Sequence, residues 1–235
     1  MTPKLDKRLW VETSVEGREG GFTVLLDKRP LRTPARAPLI VPSRAFAEGI
    51  AAEWDAVTGK IKPAEMPLTR SANAAIDKLA IQRDAVIAML AEYGDTDLLC
   101  YRAEMPAELV DEQAQRWDPI LHWAGEELSV ALNVYSGIVP RPQPAASLKI
   151  LKNQLTQLGD FELAAMHDLI TISGSLVLAL AVQHNIIAAD AAFDLSRLDA
   201  DWQARLWGAD DEAEIMAAAH RRDFVAAAHM LALLH

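Results

Sequence analysis

The single cysteine, Cys100, and the few histidines are where nucleophilic or metal chemistry would have to start. A catalytic thiol needs a lowered pKa and a base such as His122 within reach. Cys100 instead lies in the apolar run Leu98-Leu99-Cys100-Tyr101, where burial makes a thiol inert. The setting predicts a structural thiol. One cysteine closes no intrachain disulfide and builds no cysteine-rich zinc site, so a reducing compartment is expected. His167-Asp168 and the pair His220 and His229 lack the helical spacing of a zinc hydrolase, and the latter two are expected on the surface of the last helix. Asp95 and Asp97 adjoin Gly94 without the further acidic ligands of a calcium loop. Gly17, Gly20 and Gly21 precede a strand rather than a helix, and no Lys-Ser/Thr follows, so the phosphate-loop geometry is absent. Glu126-Glu127 and Asp210-Asp211-Glu212 read as solvated helix carboxylates. These residue types and spacings describe a binding or structural protein.

The elements that carry these residues change character along the chain. Trp10 to Val15 is expected as a strand, Gly20-Gly21 breaks it, and Phe22, Val24 and Leu26 recur every second residue, as a half-buried strand requires. Asp27-Lys28-Arg29-Pro30 supplies a turn before Leu31 to Thr33, and Pro34, Pro38 and Pro42 confine Leu39 to Val41 to a short edge piece. Ser43 then caps a helix on which Phe46, Ile50 and Trp54 recur four apart, and Gly59 ends it. From Pro67 onward the period is helical. Asp77 to Tyr93 is one expected helix, Pro106 opens another, and Asp118-Pro119 repeats that signature with Trp117, Ile120, Leu121, Ala124, Leu128 and Ala131 along one face. Gly137 to Pro144 reads as a linker. Further helices are expected over Ser147 to Leu158, Asp160 to His184, Asp190 to Trp207, and about Asp211 to Leu234. The fold class is therefore α+β by segregation: a small β-rich domain over 1–62 and a larger all-helical domain over 63–235.

Charge is also unevenly distributed along the chain. Residues 1–83 hold 14 Lys or Arg against 10 Asp or Glu, whereas residues 84–235 hold 9 against 23, for a net charge of −10 over 235 residues. The acidic majority repels a polyanion, so nucleic acid is not an expected partner. Lys28, Arg29, Arg32, Arg36 and Arg44 read as a solvated rim, since no aromatic stacking residues are interleaved with them. The hydrophobic fraction of 51% and charged fraction of 24% are those of a globular chain, not a disordered one. The longest apolar stretch, Leu169 to Val182, is broken by Thr171, Ser173, Gly174 and Ser175 and is shorter than the roughly 20 residues a bilayer crossing needs. It is expected as a core helix, with no membrane insertion. Met1 to Trp10 lacks the apolar or Arg-rich pattern of a targeting segment, which predicts a cytoplasmic protein.

Several stretches are denser in unusual residues than a scaffold requires. Glu53-Trp54-Asp55 brackets an aromatic with acids, and Met66-Pro67-Leu68-Thr69-Arg70 is followed by Asn73 and Asp77 at a spacing that puts Arg70, Asn73 and Asp77 on one polar face. Gly21 to Val24, Leu26 to Pro34, Glu53 to Asp55, Met66 to Arg70, Thr96 to Arg102, and Gln113 with Trp117-Asp118-Pro119 occur in one order. In that order the chain resembles the assembly chaperone family for the α subunit of the ATP synthase F(1) head, the family called ATP-twelve. The match is continuous from about Trp10 to Trp123 and resumes at Leu195-Ser196-Arg197-Leu198 and Trp207-Gly208.

The resemblance implies a monomeric chaperone, with no catalysis and no cofactor, that binds the free F(1) α subunit and shields its interface before pairing with β. In the family an acidic residue after Ser-Arg-Leu is tied to α-subunit binding, and the matching position is Asp199, with Asp201 two further on. Asp in place of the family's usual Glu shortens the reach by one methylene, and an exposed helix acid is the plainer reading. Trp54 matches the family's tryptophan, with core packing and partner contact both open to it. Arg70 belongs to the matched Met66 to Arg70 stretch. Beyond Trp207-Gly208 the chain departs from the family, with Ala209 to Glu214 in place of a longer acidic-aromatic segment. A general adaptor for apolar clients and an enzyme using Cys100 are the alternatives.

Overall fold

The computed structural model describes residues 7–137 and 141–235. They form two compact units. One holds the chain up to Arg83 together with Gly159–Ala165 and His229–His235, and the other holds Asp84–Leu158 and Met166–Ala228.

The first unit begins with a three-stranded antiparallel sheet, β1 (Thr13–Arg18), β2 (Gly21–Leu26) and β3 (Arg29–Pro30), in the order β1-β2-β3. Val24 and Leu26 are buried from alternate positions of β2, as the period-two pattern requires. Thr23 is buried on the opposite face because its hydroxyl donates to Leu39 O at 2.7 Å. The turn between β2 and β3 is tighter than expected: Leu26 pairs with Arg29, so Arg29-Pro30 is strand and only Asp27-Lys28 turns, with Asp27 at φ 57°. Leu31 to Thr33 and Leu39 to Val41 are not strands: Leu31 N donates to Val24 O at 2.9 Å, an isolated bridge joins Arg32 to Pro38, and another joins Val41 to Phe22 of β2. The prolines in this stretch remove the donors a continuous ladder would need.

Helix α1 (Arg44–Asp55) starts where Ser43 accepts a hydrogen bond from Phe46 N at 3.0 Å, and Phe46 and Ile50 are fully buried. Helix α2 (Pro67–Ala74) runs into a π-helical turn over Ala75–Leu79 and then α3 (Ala80–Glu92). Of the apolar residues Leu79, Val86, Ile87 and Leu90 in the segment expected as one helix over Asp77 to Tyr93, Leu79, Ile87 and Leu90 are buried and Val86 is half-buried. In this unit Phe46 meets Phe161 edge-on with ring centres 6.0 Å apart.

In the second unit β4 (Tyr101–Arg102) and β5 (Tyr135–Ser136) form a short parallel pair, a piece of sheet that the helical periodicity of this region hides. Helix α4 (Ala107–Leu128) is continuous through Pro119 and does not restart at Asp118-Pro119. The Asp118 carboxylate is engaged by Arg102 rather than capping. The carbonyl that loses its helical donor to Pro119 belongs to exposed Gln115, where water can serve it, while buried Trp117, Ile120 and Ala124 hold both halves of the helix down. Helix α5 (Ala145–Gln157) follows; of the expected linker, residues 138–140 lie outside the described residues.

Two expected single helices are each two. The stretch from Asp160 divides into α6 (Asp160–Ser173) and α7 (Leu176–Gln183), and that from Ala189 into α8 (Ala189–Ser196) and α9 (Leu198–Trp207). The first break comes at Gly174, with φ +71°, after which Ser175 caps α7 by accepting from Leu178 N at 2.9 Å. The second comes at Arg197, with φ −103° and ψ 4°. Apolar periodicity continues across both, which is why spacing alone does not reveal them. Every residue from Leu176 to Val182 is buried, making α7 a central helix. Helix α10 (Asp211–Leu234) spans the expected last segment, with His220 and His229 exposed on it. No helix among the described residues is long and apolar enough to cross a membrane.

Candidate functional site

Each unit places part of the expected site, and the two parts are built differently. In the second unit, Asp199 and Asp201 stand in the first turn of α9, directly after the break at Arg197. Leu198 is buried and fixes the start of that helix. The Asp199 carboxylate accepts a 2.6 Å hydrogen bond from Gln113 Nε2. Gln113 is fully buried on α4, and its own Oε1 accepts from Ala103 N at 2.9 Å. One turn further along α4, Trp117 Nε1 donates to Leu195 O at 3.0 Å, so α4 holds both the end of α8 and the beginning of α9.

Behind this pair sits a buried cation. Arg102 packs over the Trp117 ring at 5.2 Å, donates to Leu99 O at 2.9 Å, and reaches Asp118 Oδ1 at 2.7 Å. Glu112 adds a 2.7 Å ion pair to Arg205 on α9. Asp199 is thus a half-buried carboxylate whose position is set by a neutral, fully buried amide. Asp201 is half-buried and lies 3.2 Å from Arg197. It lines a groove of about 600 Å³ with Phe193, Arg197, Glu214, Arg221 and Val225.

In the first unit the matched motifs are fasteners. Glu53 accepts from Leu68 N at 2.6 Å, Thr69 N at 2.8 Å and Thr69 Oγ1 at 2.7 Å, which satisfies the orphan donors at the start of α2. Burial pushes the Glu53 carboxyl above its ordinary pKa; these hydrogen bonds and the nearby Arg70 charge oppose the shift. Trp54 Nε1 donates to Thr69 Oγ1 at 3.1 Å, and its ring lies 5.3 Å from that of buried Trp10. Asp55 pairs with Arg8 at 3.1 Å. Trp54 and Arg70 are both half-exposed. Asp77 accepts from Thr33 Oγ1 at 2.6 Å and from Ala35 N at 3.1 Å, tying down the proline-rich segment.

The Thr96 to Arg102 stretch has the same character. Asp97 is fully buried and accepts from Ser175 Oγ at 2.7 Å, Val177 N at 3.0 Å and Leu99 N at 3.1 Å, at the N-terminus of α7. Desolvation pushes its carboxyl up to about 6 despite those bonds. Cys100 is fully buried, and burial, reinforced by the Asp97 charge, pushes its thiol up to about 12. A thiol so placed is no nucleophile near neutrality. No group of three or more His, Cys, Asp or Glu that could hold a metal ion occurs among the described residues.

A fourth feature, to which spacing does not point, is a run of exposed apolar side chains close together in sequence. Leu206, Trp207, Ile215 and Met216 are exposed where α9 gives way to α10. Their clustering around Gly208, with acids between, is the one signal of it in the sequence.

Comparison with known proteins agrees with this geometry. The family described as ATP12 chaperone protein matches residues 7–125. Protein atp12, mitochondrial, of Schizosaccharomyces pombe is 25% identical over 215 residues, covering 86% of this chain and 74% of the yeast protein. The crystal structure of Atp12 from Paracoccus denitrificans is 47% identical, with a TM-score of 0.94 over 98% of this chain and 99% of that one. A point mutant of the same bacterial protein gives 46% identity and a TM-score of 0.94, covering 98% of each chain. The matched span takes in every fastener of the first unit and the Arg102, Gln113 and Trp117 cluster of the second, and on these grounds the chain belongs to the ATP12 chaperone family.

Proposed function

We propose that this ATP synthase assembly chaperone binds the free α subunit of the F(1) head and covers the surface that later packs against β. An isolated ring subunit exposes apolar, self-complementary surface, and patches of that kind aggregate until a partner covers them. The observation that carries the reading is the Asp199 carboxylate, held half-exposed on α9 by buried Gln113. It is a fixed negative charge that can meet a cation on the client. Asp201, two residues on, adds to it, while Trp54 and Arg70, both half-exposed, offer contacts from the first unit. The protein acts by binding as a monomer in the cytoplasm, without a catalytic step or cofactor.

Co-expression with the cognate α subunit followed by size-exclusion chromatography tests this. The wild-type chain should elute with α, and Asp199→Lys should elute apart from it while keeping its own folded position. An undisturbed complex in Asp199→Lys removes Asp199 from the contact. A second reading, a general adaptor for apolar clients, draws on the exposed Leu206, Trp207, Ile215 and Met216. It predicts suppressed aggregation of unrelated, heat-unfolded proteins, and a chaperone selective for α will not show this.

A further inference from the structure

We propose that the corner between α9 and α10 is a docking surface for an apolar segment of the α subunit flanked by lysine or arginine; the identity of the client rests on the proposed α-subunit binding, whereas the surface is defined by its own residues. Leu206, Trp207, Ile215 and Met216 are 57%, 78%, 73% and 55% exposed. Four of the eleven large apolar side chains exposed among the described residues therefore fall between positions 206 and 216. Scattered exposed apolar residues are ordinary; a cluster marks an interaction site.

The corner is built rather than loose. Helix α9 closes on Gly208, whose φ of +91° suits glycine and whose Cβ position is open space. Asp210 then caps α10 by accepting from Ala213 N at 2.8 Å. Trp207 is thereby fixed at the end of one helix, with Ile215 and Met216 in the second turn of the next. Chain geometry keeps them within about 20 Å of one another.

Charge identifies the occupant. Between positions 199 and 216 stand Asp199, Asp201, Asp210, Asp211, Glu212 and Glu214, against Arg205 alone. That arginine is already engaged, paired to Glu112 at 2.7 Å and stacked over Trp202 at 5.1 Å. Exposed apolar side chains interspersed with carboxylates select an apolar segment with cationic flanks. A second copy of this chain would bring the same acids face to face across a twofold axis. Nucleic acid or an anionic lipid surface would meet the same repulsion. The neighbouring groove carries both signs, with Arg197, Arg221 and Arg222 beside Asp190, Asp201 and Glu214, and Asp201 is paired to Arg197 at 3.2 Å, so the acidic character belongs to the corner and not to the groove.

Two full-length variants test the proposal against purified cognate α subunit by isothermal titration calorimetry, with far-ultraviolet circular dichroism to verify unchanged helix content. Trp207→Ser with Ile215→Ser should weaken binding about tenfold or more, as loss of aromatic anchors does. Asp211→Lys with Glu212→Lys should weaken it at low salt and much less at high salt, as screening of rim charges requires. Binding by both variants equal to that of wild type overturns the docking surface while leaving α as the client. Failure of the wild-type chain to bind α overturns both. A wild-type dimer that Trp207→Ser with Ile215→Ser dissolves would assign the corner to a second copy and overturn the proposal.

Discussion

The Gln113–Asp199 pair separates two roles that one carboxylate could play, fastening α9 or contacting the client, because the two roles rank a pair of variants in opposite order. Gln113→Leu removes the donor to Asp199 and the acceptor for Ala103 N, both at normal hydrogen-bond length. The bond to a charged group contributes about 1.5–3 kcal/mol, and the Ala103 N–H left behind is half-buried, so the combined loss is about 3 kcal/mol. For a chain of this size that lowers Tm by about 6–12 °C. Asp199→Asn keeps an oxygen to accept from Gln113 and loses only the charge, at a cost of about 1 kcal/mol or 2–4 °C. Binding should rank the other way. Gln113→Leu leaves the carboxylate charged but less well placed and should weaken α binding a few-fold. Asp199→Asn removes the charge proposed to meet a cation on the client and should weaken it about tenfold or more. Urea melts and calorimetric titration on both variants give the two rankings. If the variant that is less stable is also the weaker binder, Asp199 serves only as a fastener and a role for its charge in binding is refuted.

Other perturbations follow from the buried groups. Asp97 has a folded pKa of about 6 against 3.8 for a free side chain. Protonation therefore favours folding: the contribution is present below about pH 4 and is lost as pH rises through 6, a change of about 3 kcal/mol. Urea melts from pH 4 to 7 should show wild type losing that much relative to Asp97→Asn, and a difference constant with pH would contradict the assignment. Cys100, with its thiol near 12, should resist iodoacetamide at pH 8 by at least about a hundredfold relative to the urea-unfolded chain. Rapid native alkylation would refute its burial. Gly21 has φ +148°, and a Cβ there would overlap the carbonyl oxygen of Val41, which accepts from Phe22 N at 2.8 Å. Gly21→Ala should therefore cost at least about 2 kcal/mol in a thermal melt, and an unchanged Tm would show that β2 and the Val41 segment part easily.

Legibility in the sequence tracks how local the determining physics is. The Ser43 cap, the alternation of Val24 and Leu26 and the burial of Phe46 and Ile50 on α1 and of Trp117, Ile120 and Ala124 on α4 are set by residues within a turn or two and stand where spacing puts them, whereas Ala131, expected on the same face, lies beyond the left-handed Ser129 that ends α4 and is exposed. The breaks at Gly174 and Arg197 are hidden because buried apolar residues stand a few positions to either side, Ile170 and Leu176 around the first and Leu195 and Leu198 around the second, so the period continues while the backbone does not. Asp118-Pro119 misleads in the reverse sense: a start signal inside a helix is overridden by packing of Trp117 and Ile120 and by Arg102, sixteen positions away, engaging Asp118.

The motifs behave similarly. Glu53, Asp77 and Asp97 are unusual in sequence because each satisfies donors at a distant helix start or loop. Such partners lie outside any short window. Gln113 stands in a matched motif, yet its hold on Asp199 spans 86 positions and becomes visible only once α4 and α9 meet. The exposed corner at Trp207 is legible only as a cluster of apolar residues among acids, since exposure is a property of the fold and not of composition.

Whether the protein holds the free F(1) α subunit is decided by mixing the two purified chains without β and determining the mass of the eluting species by light scattering. A stable complex of chaperone and α that dissociates when β is added is the expected outcome; α eluting alone, or the chaperone found with β instead, would show that the client has been misassigned.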